Sequence, residues 1–241
     1  MVDSYVLVTG GRGDIGKSIV DRILKTTEHN LLVTTTSKGE STEFNSGRVE
    51  LIQMDASITE SISAASENIA EYPVSHFIQL HGHSRTNDRL IGQTDGCLAY
   101  HFNVNVFSTV LILDKILPGM QQRQFGRVVL MNTASSEHGG GLDSFGYGMA
   151  KHSVGYLTKH LSKYFTQHNI LTNCISPGLI DTKFHTNVMK RTPEEIVRRS
   201  QTVRLRKAGT PKDVASLIYY LGFENEFITG QNIKIDGGDF I

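Results

Sequence analysis

Seven short runs rich in β-branched and other apolar residues recur along the chain: Tyr5–Val8, Leu31–Thr35, Val49–Met54, His76–Leu80, Val128–Met131, Leu171–Ile175 and Asn232–Ile235. Stretches with helical periodicity separate most of them. Such alternation predicts a parallel sheet, with crossover helices covering both of its faces, and hence the α/β class. Sheets of this kind bind ligands beyond the carboxyl ends of their strands, so the chemistry is expected in the loops that follow each strand. Ile15–Leu24 reads as the first helix. Val154, Leu157, Leu161 and Phe165 form an apolar stripe on a later helix, which suits core or subunit contact better than catalysis.

With 241 residues, 39% of them apolar and 20% charged, the chain suits one soluble domain over residues 1–241. No internal repeat, low-complexity tract or Pro/Gly-rich linker suggests a second. The formal net charge of zero and a pI near 7.2 point to neither nucleic acid nor an anionic membrane as partner. Cys97 and Cys174 lie far apart without metal-type spacing, and Met1-Val2-Asp3-Ser4 lacks the basic and apolar regions of a signal peptide. No apolar run is seen to approach the roughly 20 residues of a membrane-spanning helix. The expected compartment is the reducing cytoplasm.

The first strand runs into Thr9-Gly10-Gly11-Arg12-Gly13-Asp14-Ile15-Gly16 and then a helix. In that context glycines let backbone amides approach a pyrophosphate at a helix N-terminus, which makes Gly10, Arg12, Asp14, Ile15 and Gly16 candidate cofactor contacts. The competing reading is an ordinary tight turn. The Asp14 carboxylate would repel a pyrophosphate, so it is expected to cap the helix starting near Ile15, with its side chain turned from the phosphates. Strand two ends in Thr34-Thr35-Thr36-Ser37-Lys38, with no acid where an NAD site would hold the ribose 2′-hydroxyl. Hydroxyls from Thr35 to Ser37, with Lys38 or Arg12, suit a 2′-phosphate, so NADPH/NADP is the expected cofactor; a solvated polar loop is the alternative.

Tyr147-Gly-Met-Ala-Lys151 places a phenol and an ammonium one turn apart on a single helix face. A cation beside a phenol lowers its pKa from about 10 and brings acid/base chemistry within reach. Chance supplies such a pair easily, so its context decides. With the glycine turn before it, the chain resembles the short-chain dehydrogenase/reductase family over nearly its whole length, and most resembles the 3-oxoacyl-acyl-carrier-protein reductases. Asn105 in Asn105-Val106-Phe107-Ser108, Pro177-Gly178-Leu179-Ile180-Asp181-Thr182, and the ending from Ala208-Gly209-Thr210-Pro211 through Ile228-Thr229-Gly230-Gln231 to Asp236-Gly237-Gly238 carry the likeness further.

The resemblance implies a doubly wound, Rossmann-type three-layer α/β/α sandwich with a seven-stranded parallel sheet. It implies that Tyr147, Lys151 and Asn105 are catalytic. Tyr147 donates a proton, Lys151 lowers the tyrosine pKa and binds the nicotinamide ribose, and Asn105 holds a water that links the lysine to solvent. Asp55, Gly82, Pro177, Gly178, Ile180 and Thr182 join the cofactor contacts, Gly82 leaving room for the adenosine ribose and the Ile180 backbone and Thr182 hydroxyl meeting the carboxamide.

Three departures from the family pattern stand out. Asp14 replaces the middle glycine of the turn, with Gly13 one place early; Gln79-Leu80-His81-Gly82 replaces Asn-Asn-Ala-Gly; and the catalytic serine is displaced. Spacing from Asn105 points to Thr133, while Ser135 is the nearest serine hydroxyl; both are carried, Ser135 first because serine is the family habit. His81 and His83 have too few neighbouring ligands for zinc, and no metal site is expected.

By resemblance the activity is NADPH-dependent reduction of a ketone, with a β-ketoacyl thioester on acyl carrier protein or coenzyme A as the substrate, in fatty-acid or polyketide synthesis. Nine Lys/Arg residues between Lys183 and Lys212, against Glu194 and Glu195, form a basic lid over about 183–207 that suits such acidic partners. Ordinary surface charge is the alternative. Arg123 and Arg127 would extend that surface by analogy. Rival readings are a reductase of free ketones, steroids or sugars, and a dinucleotide-binding regulator or structural subunit without catalysis. A homotetramer or homodimer is implied.

Overall fold

The structure, a computed structural model, describes residues 4–36, 44, 46–85, 88–92 and 95–239. All seven expected strands are present: β1 (Tyr5–Thr9), β2 (Asn30–Thr35), β3 (Val49–Gln53), β4 (Val74–Gln79), β5 (Gly126–Met131), β6 (Ile170–Pro177) and β7 (Asn232–Ile235). They form one parallel sheet in the order β3-β2-β1-β4-β5-β6-β7. The chain winds outward from β1 in one direction and from β4 in the other. The connections after these two strands therefore leave on opposite sides, opening a crevice at their carboxyl ends.

The helices are α1 (Asp14–Thr26), α2 (Thr59–Ala70), α3 (Asp95–Phe102), α4 (Ser108–Arg123), α5 (Ser135–His138), α6 (Phe145–Phe165), α7 (Pro193–Ser200) and α8 (Pro211–Tyr219). Alternate strand residues face opposite layers, so the sheet divides the core in two. Leu7, Leu32, Phe77, Val128 and Leu130 pack with Ile69 of α2, Ile112 and Ile116 of α4 and Val154 of α6. Val6, Val8, Leu31, Val33, Ile78 and Val129 pack on the other face with Ile19 and Ile23 of α1 and Val214 and Ile218 of α8. Each fully buried side chain of this size contributes about 1.5–3 kcal/mol. Helix α8 starts on a capping box in which the Thr210 hydroxyl accepts from the Asp213 N–H and the Asp213 carboxylate accepts from the Thr210 N–H, with Pro211 inside the first turn.

Helices α3 and α4 join through a wide π turn, Asn103–Phe107, into one helix, Gly96–Arg123, that is long and apolar enough to cross a membrane by length and composition. The expectation that no run approaches that length is corrected here. Half of its most apolar window lies inside the fold, where Ile112, Leu113, Ile116 and Leu117 join the core.

Arg123 and Arg127 are also corrected. Arg123 donates to the Val74 carbonyl. Arg127, 7% exposed, donates to the carbonyls of Gly126, Asn169 and Asn225. Both sit where β4 and β5 begin, at the end of the sheet opposite the crevice, and tie strands together instead of extending a basic surface.

His76 on β4 is buried, stacked on Phe223 at 4.7 Å and bonded through Nδ1 to the Ser75 hydroxyl. Burial first, then the charges of His29 and Arg127, lower its pKa to about 3. Because the unfolded imidazole takes a proton at about 6.5, stability is full above that pH and is lost as the pH falls towards 3. Urea unfolding between pH 7 and 4 is expected to show this loss, and His76→Phe to flatten it.

Candidate active site

Gly10 follows β1 with φ +69°, and a Cβ there would lie 2.7 Å from the His81 backbone nitrogen. The turn is therefore pressed against the end of β4, which only a glycine permits. Gly16 is buried behind it, against the Gly10 carbonyl, and Ile15 packs at the edge of the α1 core layer. Asp14 is not the cap expected from the sequence. Gly13 occupies the cap position, and the Asp14 carboxylate accepts a 2.7 Å bond from the Lys183 N–H, clasping the glycine turn to the segment after β6. The side chain does leave the helix N-terminus, but it serves the neighbouring loop.

A cavity of about 350 Å³ opens at the ends of β1, β2 and β3, lined by Gly10, Arg12, Gly13, Thr35, Thr36 and Met54 among others. Arg12 Nη1 donates to Thr35 Oγ1 at 3.0 Å, which brings the guanidinium and hydroxyl expected for a 2′-phosphate to one wall. Ser37 and Lys38 lie outside the described residues. Asp55 follows β3 between two cavity residues, Met54 and Ala56, but its Oδ1 accepts from the N–H and hydroxyl of Ser57.

His81 and His83 have structural partners. The Ser108 hydroxyl gives its proton to the Val104 carbonyl, so His81 Nε2 donates to Ser108 Oγ and Nδ1 accepts from Thr9 Oγ1, each at 2.7 Å. Burial, then the Lys151 charge, lowers this imidazole to about 3 and keeps it neutral. His83 Nδ1 meets the Tyr100 hydroxyl at 2.9 Å, with Arg85 lying over the Tyr100 ring.

Asn105 and Lys151 meet at Gly82. A Cβ there would sit 2.9 Å from Asn105 Oδ1 and 3.0 Å from Lys151 Nζ, so the end of β4, the π turn and α6 converge at a point where a side chain would displace the asparagine amide or the lysine ammonium. A π turn widens a helix locally and is frequent at functional sites. Asn105, fully buried within it, donates through Nδ2 to the carbonyls of His83 (3.0 Å) and His101 (2.9 Å). Lys151, 1% exposed, donates to the Met131 carbonyl at 2.8 Å.

Burial lowers the Lys151 ammonium to about 7 and pushes the Tyr147 phenol above its ordinary value. The expected lowering of the phenol by Lys151 is not found: Nζ stands 6.0 Å from the ring centroid, and desolvation outweighs attraction at that range.

Thr133 and Ser135 are not alternatives in space. Their hydroxyls are hydrogen-bonded at 2.9 Å, and Ala134 between them donates to the Pro177 carbonyl, drawing the Pro-Gly segment alongside. Gly178 rests on Asp236, Ile180 bridges to Gly209, and Thr182 Oγ1 donates to the Ile180 carbonyl.

The sequence reading missed three residues around the tyrosine. The Asp88 carboxylate accepts the Tyr147 N–H at 2.8 Å, and the rings of His101 and Phe184 each lie 6.3 Å from the tyrosine ring. No spacing signals Asp88, which is 59 residues from its partner. Phe184, at the start of the basic segment, had an aromatic side chain as its only signal.

The lysine has a measurable consequence. Unfolded, it binds a proton up to about 10.5; folded, only to about 7, so stability rises with pH across that window. The span is worth a few kcal/mol, to order of magnitude. Chemical denaturation from pH 7 to 9.5 is expected to show this rise, and Lys151→Met to remove most of it while gaining stability at pH 7.

The family model described as Enoyl-(Acyl carrier protein) reductase matches residues 14–239. The 3-oxoacyl-[acyl-carrier-protein] reductase MabA of Mycobacterium bovis is 26% identical over 240 residues, covering 98% of this chain and 93% of that protein. Dehydrogenase/reductase SDR family member 4 of Sus scrofa is 32% identical over 139 residues, which cover 56% of this chain and 48% of that protein, about half its length. Among solved structures, ElxO with NADP bound is 26% identical with a TM-score of 0.84, covering 99% of each chain. A 3-oxoacyl (acyl-carrier-protein) reductase from Agrobacterium tumefaciens with NADP bound has a TM-score of 0.87 at 24% identity, covering 98% of this chain and 93% of that one; this likeness shows the fold. Sheet order, glycine turn and family match together make this chain a member of the short-chain dehydrogenase/reductase family of oxidoreductases.

Proposed function

We propose that the protein is an NADPH-dependent ketoreductase that reduces a β-ketoacyl thioester to the β-hydroxyacyl product. The observation that carries this reading is the convergence of Asn105 and Lys151 on the bare Gly82, one turn of α6 from Tyr147. The cavity walls suit a 2′-phosphorylated dinucleotide: the glycine turn lines it at Gly10 and Gly13, and Arg12 and Thr35 bring a cation and a hydroxyl to one wall. By family likeness Gly82 leaves room for the adenosine ribose. The bound cofactor supplies a hydride to the ketone carbon.

The chain's own residues do the rest. Tyr147 gives its phenolic proton to the oxygen as negative charge develops there, and its raised pKa keeps that proton in place until the transfer. The linked hydroxyls of Thr133 and Ser135 act as one donor unit toward the same oxygen, the second polarising the first. Lys151, close to half protonated near neutral pH, takes up and returns protons beside Asn105. Phe184 walls the substrate side of the tyrosine and excludes water.

Exposed Lys183, Lys190, Arg198, Arg204, Arg206 and Lys207 give the segment after β6 a cationic surface suited to the phosphates of coenzyme A or an acidic carrier. Arg199 belongs to the fold, pairing with Asp239. The inward-facing Arg123 and Arg127 remove part of the expected carrier surface, which favours as second reading a reductase of free ketones. By family likeness the protein is cytoplasmic and assembles as a dimer or tetramer.

Steady-state reduction of a β-ketoacyl thioester and its free acid, each with NADPH and NADH, tests the proposal. A preference for the thioester that weakens with salt is expected, whereas equal turnover supports the second reading. Tyr147→Phe is expected to lower kcat by about 100-fold or more. Arg12→Ala is expected to raise the KM for NADPH about tenfold and leave that for NADH nearly unchanged. NADPH binding with no turnover of any ketone would contradict a reductase.

A further inference from the structure

A second cluster lies on the side of Tyr147 that carries its backbone N–H. Asp88, Cys97 and His101 bring a carboxylate, a thiol and an imidazole within 4.8 Å of one another. Cys97 and His101 are one turn apart on α3 and so share a face, while Asp88 comes from the loop after β4. The side chains of Asp88 and His101 are fully buried.

The geometry of the histidine is the second observation. Its Nε2 lies 3.2 Å from Asp88 Oδ2 and the His83 backbone is also close to the ring, yet neither ring nitrogen makes an aligned hydrogen bond among the described residues. A buried imidazole left without partners costs about 1–3 kcal/mol, so such groups nearly always have them. Two donor atoms that approach without an aligned N–H are arranged like atoms that face a common third point. For zinc, with Zn–N and Zn–O near 2.0–2.1 Å, the N–O edge of a tetrahedron is about 3.3 Å. The observed 3.2 Å matches that edge, and the Cys97 thiol donates to the other carboxylate oxygen, Oδ1, at 3.8 Å, so all three groups already face one another.

We propose that Asp88, Cys97 and His101 bind a divalent cation of the zinc class behind the catalytic tyrosine. Mixed nitrogen, oxygen and thiolate ligands select zinc over magnesium or calcium, which require oxygen alone. The charges balance: on binding, the Cys97 thiol gives its proton to solvent, and thiolate, carboxylate and neutral imidazole together offset the two positive charges, with no change of oxidation state. Asp88 Oδ2 keeps a lone pair for the Tyr147 N–H, so the ion would pin the first turn of α6 to α3. The proposal extends beyond the reductase reading and stands whether or not that reading holds.

Cobalt(II) titration of the chelator-treated protein tests it, read by absorption. The expected result is about one ion per chain, with the visible bands of a tetrahedral site and a near-ultraviolet thiolate-to-cobalt band, and with displacement by zinc. Cys97→Ser is expected to abolish the near-ultraviolet band. His101→Gln is expected to weaken binding by at least about 100-fold, with the far-ultraviolet circular dichroism of both variants unchanged. Less than about a tenth of an equivalent bound by the folded wild type, or a spectrum unaltered in Cys97→Ser, would overturn the proposal. Should His101→Gln fail to fold, the Cys97→Ser spectrum decides alone.

Discussion

The site depends on one close approach, that of Asn105 and Lys151 to the backbone at Gly82. A Cβ at residue 82 would lie 2.9 Å from Asn105 Oδ1 and 3.0 Å from Lys151 Nζ, so a methyl group there would press on the polar ends of both side chains and displace them from the site. Each of the three belongs to a different stretch of sequence. The parallel sheet delivers them to one point because β4 and β5 end on the same side, and because the helix after β4 is widened at Asn103–Phe107. With an α-helical turn in place of the π turn, Asn105 would not present its amide to the His83 backbone in the same way.

Burial then decides how the convergent groups behave. Lys151 donates to the Met131 carbonyl and is almost wholly removed from water; its ammonium is held near the point of half protonation at neutral pH. Tyr147 responds in the opposite sense, because desolvation disfavours charge on either group. A phenol that holds its proton and a lysine that readily exchanges one form a graded pair, suited to moving a proton toward an oxygen that becomes basic only during reaction. The Asp14 clasp to Lys183 and the nearness of Phe184 to Tyr147 show that the segment after β6 is joined to both ends of the site.

The fold was legible because strand alternation and helical periodicity are local properties, and the seven runs became the seven strands. Tyr147, Lys151, Asn105 and Gly82 were recognisable from motif and context, and the structure brings the last three together. What escaped the sequence depended on direction. Asp14 has a capping residue's chemistry, but Gly13 takes the cap position, leaving the carboxylate to the neighbouring loop. Arg123 and Arg127 carry charge in the sequence, yet strand-end carbonyls draw them inward. Counting along the chain separated Thr133 from Ser135, whereas a tight turn joins their hydroxyls. The contact between Asp88 and Tyr147 spans 59 residues and follows no periodicity that a sequence displays.

In the proposed reaction a 2′-phosphorylated dinucleotide bound in this crevice would supply hydride to a ketone while Tyr147 supplies the proton. Its most direct test is label transfer: NADPH deuterated at the reactive carbon of its nicotinamide is incubated with the protein and a β-ketoacyl thioester, and the product alcohol is examined by mass spectrometry and NMR. The account predicts one deuterium on the new carbinol carbon with the wild-type protein and almost none with Tyr147→Phe. Label that stays on the cofactor while binding is intact, or equal transfer by Tyr147→Phe, would contradict it.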